Sequence, residues 1–163
     1  MISYFLGFHN ASVGISKIYG PIGNKARYFF YKNQLNSVGE NVFFPFGIIF
    51  SNKDISIGNN VRFGPNNTIG LVDFGNDIVI AQNVHFLSGK NQHGFADKNI
   101  SMINQPGKLE RISINDDIWI GANSVILSNI SNGSIVGSLS LVNKTFQSFS
   151  IIGGNPAKII RSR

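Results

Sequence analysis

The chain has 163 residues, 14 basic and 8 acidic side chains, a formal net charge of +6 and no cysteine. The length fits one domain with room for a sizeable core. The missing cysteines exclude disulfides, thiolate metal sites and a covalent thiol intermediate. The positive balance attracts anions. However, the lysines and arginines form no dense run of the kind nucleic-acid binders carry, and they gather instead in "KARYFFYK" and "KIIRSR" near the two ends. That leaves a solvated basic surface or a phosphate-bearing small molecule as the reading, and no nucleic acid.

The first stretch, "MISYFLGFHNASVGISKIYG", has no basic lead followed by a long apolar run. Neither a signal peptide nor a membrane span is expected, and a cytoplasmic placement follows by default. Residues 1–36 are expected to form a cap segment. Within it, "GNKARYFFYKNQL" predicts a short helix with Ala26, Phe29 and Phe30 facing inward, punctuated before by Gly20-Pro21 and Gly23-Asn24. A membrane contact is expected to be peripheral at most, through Phe29 and Phe30 flanked by Lys25, Arg27 and Lys32.

From residue 37 a different period takes over. Ile57, Phe63 and Ile69 lie six apart, and each is followed by glycine. Phe74, Ile80 and Phe86 repeat the step, and Ile114, Ile120 and Ile126 repeat it again. Six matches neither a helix nor an amphipathic strand. It matches hexapeptide β-solenoid repeats, three to a triangular coil, with the large residue inside and a small one at a tight corner, sometimes at positive φ. Stacked coils then bury a core that no single repeat can. The fold class is therefore all-β, with the solenoid over 37–163.

The hexads break between Phe86 and Ile112. The polar, glycine-containing segment "LSGKNQHGFADKNISMINQPGKLER" is expected to leave the solenoid as an excursion over 88–111, and long loops in compact domains usually carry function. The hexads resume in "WIGANSVILSNISNGSIVGSLSLVNK", where Trp119, the only tryptophan, precedes the inward Ile120 and so should point outward. A large apolar ring there needs cover from a neighbouring surface or a ligand. The terminal "NPAKIIRSR" starts at a turn and is expected to leave the coil and lie against it.

Of the three histidines, His9 sits in a segment without other chemistry, and His85 precedes the inward Phe86 as a structural or groove-lining residue. His93 lies in the glycine-flanked excursion and by position alone is as readily a plain loop residue as a base. Asp97 or a main-chain carbonyl would orient its ring. A zinc site needs about three convergent histidines, which this distribution does not predict, so no metal is expected. Asn66 and Asn67 read first as turn residues.

The order of His loop, Trp-Ile-Gly and Asn-Pro-Ala-Lys resembles the hexapeptide-repeat acyltransferases, and the "QHGFAD" loop with "INQPGKLERISINDDIWIG" resembles their sugar and polysaccharide O-acetyltransferase branch. The resemblance covers roughly 37–163. It implies a left-handed parallel β-helix with a protruding loop, a small N-terminal helical cap and a short C-terminal tail. It also implies acetyl-CoA as co-substrate, a carbohydrate acceptor in capsule or polysaccharide biosynthesis, and a homotrimer with active sites between subunits. Carried over residue by residue, His93 is the catalytic base, Trp119 a candidate acceptor contact, and Ala122, Ser138, Asn143 and Lys144 line the cofactor groove. Lys158 and Arg161 match positions that meet the CoA phosphates. Direct transfer in a ternary complex is then the simplest mechanism. The same resemblance admits an amino-sugar N-acetyltransferase or a serine or small-alcohol acetyltransferase, and the solenoid alone also serves non-catalytic scaffolds. The sequence departs from the family pattern twice. "ISNGS" at Ile130–Ser134 is about two residues short, predicting a shortened coil edge, and "FQSF" stands where the family has Pro-Pro.

Overall fold

The computed structural model describes residues 2–163, with side chains from Gly7 onward. Two helices come first, α1 at Ile2–Ser16 and α2 at Gly20–Gln34. From Ser37 the chain forms strands of two to five residues, gathered into sheets of four, six and five strands. These are the three sides of a prism. Side A runs through Ser56–Ile57 and Val72–Phe74, side B through Val61–Arg62 and Ile78–Ile80, and side C through Thr68–Ile69 and His85–Phe86. Every pairing is parallel except the last, so the chain winds once around the prism per coil. Hydrogen-bonded neighbours in adjacent coils are 19 residues apart at the start, 17 in the middle and 16 at the end. The step spanning the excursion is 40.

All nine hexad residues point inward and are buried. The lower core is aromatic. Tyr31, Phe44, Phe50, Phe63, Phe74 and Phe86 succeed one another with ring centroids 4.6 to 6.0 Å apart. Above Phe86 the filling is aliphatic, with Ile114, Ile120, Ile126, Val136, Val142 and Ile152. Alternating strand residues face out, as a period of two requires.

The corners differ from expectation in one respect. Positive φ falls not on the small residue after each inward side chain but further along the corner, on Asn60, Asp77 and Asp117 where side A meets side B, and on Asn66, Asn83 and Asn123 where B meets C. Short polar side chains tolerate that conformation. At the A–B corner they also form ladders. Asn41 donates to Asn60 Oδ1 at 3.1 Å, and Asn60 to Asp77 Oδ1 at 2.8 Å. Beside them, Asn59, Asn76, Asp116 and Asn132 each accept the main-chain N–H of the coil before. Strand ladders cannot serve N–H groups at a corner, and these side chains do so instead.

The short edge at "ISNGS" is present. Side A is reduced there to an isolated bridge between Ile114 and Ile130. In "FQSF", Phe149 takes a positive φ and lays its ring against Gly133, where a Cβ would strike the ring. The tail does lie against the coil. Lys158–Ser162 turns back and pairs antiparallel with Ser150–Gly153 on side B.

The helical cap is larger than expected, and its inward face is different. α1 was not anticipated. In α2 the buried stripe is Gly23, Arg27 and Tyr31, whereas Ala26 and Phe30 are half-buried and Phe29 is 62% exposed. Hydrogen bonding explains why the cation goes inside. Arg27 Nε donates to the Phe44 carbonyl at 3.0 Å, Nη1 to the Ile18 carbonyl at 2.6 Å and Nη2 to Asn24 Oδ1 at 2.6 Å. One guanidinium thus joins both helices to the first coil, and burial lowers its pKa. Tyr31 closes the open end of the prism. Its hydroxyl donates to the Ile48 carbonyl at 3.0 Å and meets Ser12 Oγ at 2.9 Å, which in turn accepts the Phe50 N–H.

Burial pushes the Tyr31 phenol up to about 12, against 10.0 for a free phenol. The neutral phenol therefore stabilises the fold fully below pH 10, and this contribution is lost as pH rises from 10 through 12, because the unfolded chain ionises first. Tyr31→Phe leaves Ser12 and the Ile48 carbonyl short of a partner. It is expected to lower unfolding free energy by about 1–3 kcal/mol at neutral pH, with the gap to wild type narrowing above pH 10, as read by urea titration across that range.

Candidate functional site

The excursion starts and ends on anchored residues. Ser88 is buried, accepts the Leu71 N–H on its Oγ and takes the Glu110 N–H on its carbonyl. On the return arm, Arg111 donates to Asp73 Oδ1 at 2.8 Å and to Asp54 Oδ2 at 2.6 Å on side A. Between these anchors the two arms lie against each other, with Lys108 N–H on the Asn91 carbonyl at 2.7 Å. At the tip the Gln105 side chain accepts the Asp97 N–H and donates to the Asp97 and Ile100 carbonyls.

His93 is exposed on the outgoing arm. Its backbone is held by the close approach of Gly107. A Cβ there would collide with the Gln92 carbonyl and come within 2.8 Å of His93 Cα. Asp97, a candidate to orient the ring, spends its carboxylate on the Asn99 N–H at 2.8 Å. His85 points outward on side C, and its Nδ1 lies 2.7 Å from Thr68 Oγ1.

Sequence reasoning left His9 without a role, yet the structure places it in a pocket of about 210 Å³. α1 supplies His9 and Val13, side C supplies Ile49 and Thr68, and the root of the excursion supplies Ser88 and Gln92, next to His93. His9 Nδ1 is buried there without a hydrogen-bond partner. Nothing in the hexad pattern signals this, because α1 reaches side C only through the tertiary packing of the cap. Asn67 and Asn66 keep their structural reading. Asn67 is fully buried and accepts the Val84 N–H at 2.7 Å, and Asn66 is a positive-φ corner residue.

The proposed groove residues separate into two places. Ala122 and Ser138 are neighbours at the B–C corner, where the Leu139 N–H bonds the Ala122 carbonyl at 2.9 Å. This corner is a column of small residues, Gly64, Ala81, Gly121, Gly137 and Gly153. A Cβ on Gly121 would sit 2.5 Å from the Ser138 nitrogen, so main chain rather than side chain forms the edge. Lys158 pairs with Gly153 at the top of that column, and Arg161 pairs with Ile151 one step along side B. Asn143 and Lys144 lie instead at the C–A corner, where Lys144 Nζ sits 5.3 Å from the Phe146 ring. Trp119 does point outward, 55% exposed, between Val79 and Ile135 in an apolar column on side B. His93, which leaves from the C–A edge, and the small-residue B–C corner thus occupy different edges of one chain.

A prism of short parallel strands interrupted by a histidine loop invites comparison with known proteins. No family model matches the sequence. Over 137 residues, 80% of this chain and 65% of the other, it is 31% identical to a galactoside O-acetyltransferase of Escherichia coli (strain K12). The relatives it matches are hexapeptide-repeat acyltransferases. A shorter stretch of 52 residues is 42% identical to a chloramphenicol acetyltransferase of Agrobacterium fabrum, of which it spans 25%. Among solved structures, a galactoside acetyltransferase in complex with coenzyme A matches with a TM-score of 0.82 at 23% identity, over 97% of this chain and 82% of that one. A maltose O-acetyltransferase from Clostridium difficile 630 matches with 0.81 at 18%, over 98% and 88%. These likenesses fix the family's β-helix fold, helices included. Among the described residues no helix is long and apolar enough to cross a membrane, and no group of three or more His, Asp or Glu side chains is placed to hold a metal ion.

Gly107→Ala is expected to force the two arms of the excursion apart. Limited proteolysis should then cut within residues 90–108 while the solenoid's melting temperature moves by no more than about 2–4 °C, the shift of roughly 1 kcal/mol.

Proposed function

We propose that this chain transfers an acetyl group from acetyl-CoA to a hydroxyl of a bacterial cell-surface polysaccharide or its sugar precursor. The observation that carries the reading is the pairing, on this family's fold, of an exposed imidazole held at a fixed place in the loop with a bare main-chain corner topped by Lys158 and Arg161. The sequence match over 137 residues to a galactoside O-acetyltransferase supports an oxygen acceptor. Amino-sugar N-acylation is the alternative, supported by the likeness to AntD, an N-acyltransferase from Bacillus cereus, with a TM-score of 0.65 at 19% identity over 84% of this chain.

The roles follow from the chemistry. Imidazole titrates near neutral pH, so His93 takes the proton of the acceptor hydroxyl as its oxygen attacks the thioester carbonyl. The tetrahedral intermediate collapses to the ester, and the departing CoA thiolate recovers the proton from His93. Without a cysteine in the chain no thiol carries the acetyl group, and direct transfer in a ternary complex is the simplest mechanism. The small-residue corner fits a pantetheine arm, because its amides meet main chain at Ala122 and Ser138 with no side chain between. Lys158 and Arg161 hold phosphate by charge-assisted hydrogen bonds. Asn143 and Lys144, at the other corner, act on the cofactor bound to an adjoining copy. The acceptor enters the pocket shared by α1 and the loop root, beside His93.

Since the base and the corner lie on different edges, one active site needs two copies. A homotrimer of left-handed prisms supplies that arrangement, and it covers the apolar column of Val79, Trp119, Ile135 and Ile151 on side B. The work is cytoplasmic, where acetyl-CoA is made, and uses no metal.

His93→Ala is expected to lower kcat with acetyl-CoA and a panel of bacterial polysaccharides by at least about 100-fold, the contribution of a general base. Because the side chain is exposed, its melting temperature should stay at the wild-type value. A fully active His93→Ala enzyme contradicts the assignment. Replacing Lys158 and Arg161 together by alanine should raise KM for acetyl-CoA by about tenfold, the loss of roughly one charge-assisted contact, with kcat unchanged. The same change should leave KM for acetyl-dephospho-CoA less affected.

A further inference from the structure

α2 caps the prism with one stripe and leaves the opposite stripe unpartnered. At 3.6 residues per turn, Ile22, Lys25, Phe29 and Lys32 fall on one line, turned away from the buried Gly23, Arg27 and Tyr31. Ile22 is 78% and Phe29 62% exposed, and Tyr19, just before the helix, is 76% exposed on its stack with Phe46. Lys17, Lys25 and Lys32 are exposed around them. No carboxylate precedes Glu40 in the sequence. A stripe of two large apolar side chains interleaved with two lysines, with Lys17 and Tyr19 exposed just before it and no acidic residue in the whole segment, is unlike the mixed-sign surface of an ordinary solvated helix.

From this face we infer that the chain docks, through the outer stripe of α2, on the surface of an anionic phospholipid bilayer. The apolar side chains reach the boundary between headgroups and acyl chains, and the lysines lie along the surface with their ammonium groups among the phosphates. Apolar insertion and basic attraction are each weak alone and hold together as two signals. A second copy is a poor occupant, because a self-complementary contact would bring the lysines of both copies face to face. The assembly proposed above joins prisms along their sides and leaves this end free. Docking is independent of the acetyl-transfer chemistry, and it would bring the acceptor pocket near glycans carried on lipid.

The test is co-sedimentation of the full chain with phosphatidylcholine vesicles, with and without phosphatidylglycerol, at low and high salt. Binding is expected only to the phosphatidylglycerol vesicles and is expected to weaken as salt rises. Replacing both Lys25 and Lys32 by glutamate should lower the partition coefficient by at least about tenfold. Replacing Ile22 and Phe29 by serine should lower it as well, and all variants should keep the wild-type melting temperature and mass by sedimentation equilibrium. Failure of the wild type to bind phosphatidylglycerol vesicles overturns the inference. So does equal binding to both vesicle types, or binding unchanged in the variants. A variant that loses vesicle binding only because its oligomer falls apart reassigns the face to a subunit contact.

Discussion

The structure depends on turning a corner three times in every 17 residues while keeping successive turns in hydrogen-bonding register. Strand ladders provide the register along the sides but stop at each bend. Two residue types solve the bend. Small residues let one coil's main chain press against the next, as at Gly121 over Ser138. Asparagine and aspartate take the left-handed conformation two places later, and at the A–B corner they lend their side chains to the neighbouring coil. The ladder of Asn59, Asn76, Asp116 and Asn132 is therefore a continuation of the sheet by side chains.

The same constraint shapes the site. The first position of the B–C corner must stay small, so from Gly64 to Gly153 that row is main chain pressed against main chain. A thin extended ligand can follow such an edge. The chain breaks the winding once, after Phe86, and the excursion with its arms anchored at Ser88 and Arg111 carries the proposed base His93. The prism ends pose the opposite problem, because an open coil leaves carbonyls such as Phe44 and Ile48 without a following strand. Arg27 and Tyr31 satisfy them from α2. That explains a fully buried arginine in a segment that reads as amphipathic in the ordinary sense.

The side-chain period made the core legible. Each hexad residue from Ile57 to Ile126 is inside, because six-residue spacing has one structural solution. The short edge at Ile130 was legible only against the family pattern, from which about two residues are missing. The face of α2 was not. Its phenylalanines outweigh Arg27 on any hydropathy scale, and only the carbonyls of the first coil, distant in sequence, reverse the choice. α1 was hidden because glycine and serine weaken its helical signature and its packing partner lies on side C. At the site, His93 was singled out by family likeness rather than by spacing, and His9 was missed because its pocket exists only after the cap folds onto the loop root. Of the six residues assigned to the cofactor groove, Ala122 and Ser138 lie at the B–C corner with Lys158 and Arg161 on the strand paired beside it. Asn143 and Lys144 fall on another edge, a separation visible only once the chain is wound.

The central claim is that the bare B–C corner of one chain and the loop imidazole of another form a single site. A crystal structure of the protein with coenzyme A tests it directly. The account predicts the pantetheine arm along Ala122 and Ser138, its phosphates at Lys158 and Arg161, and its sulfur within reach of His93 from an adjoining copy. Coenzyme A seated on another edge, or its sulfur remote from every His93 in the assembly, would contradict it.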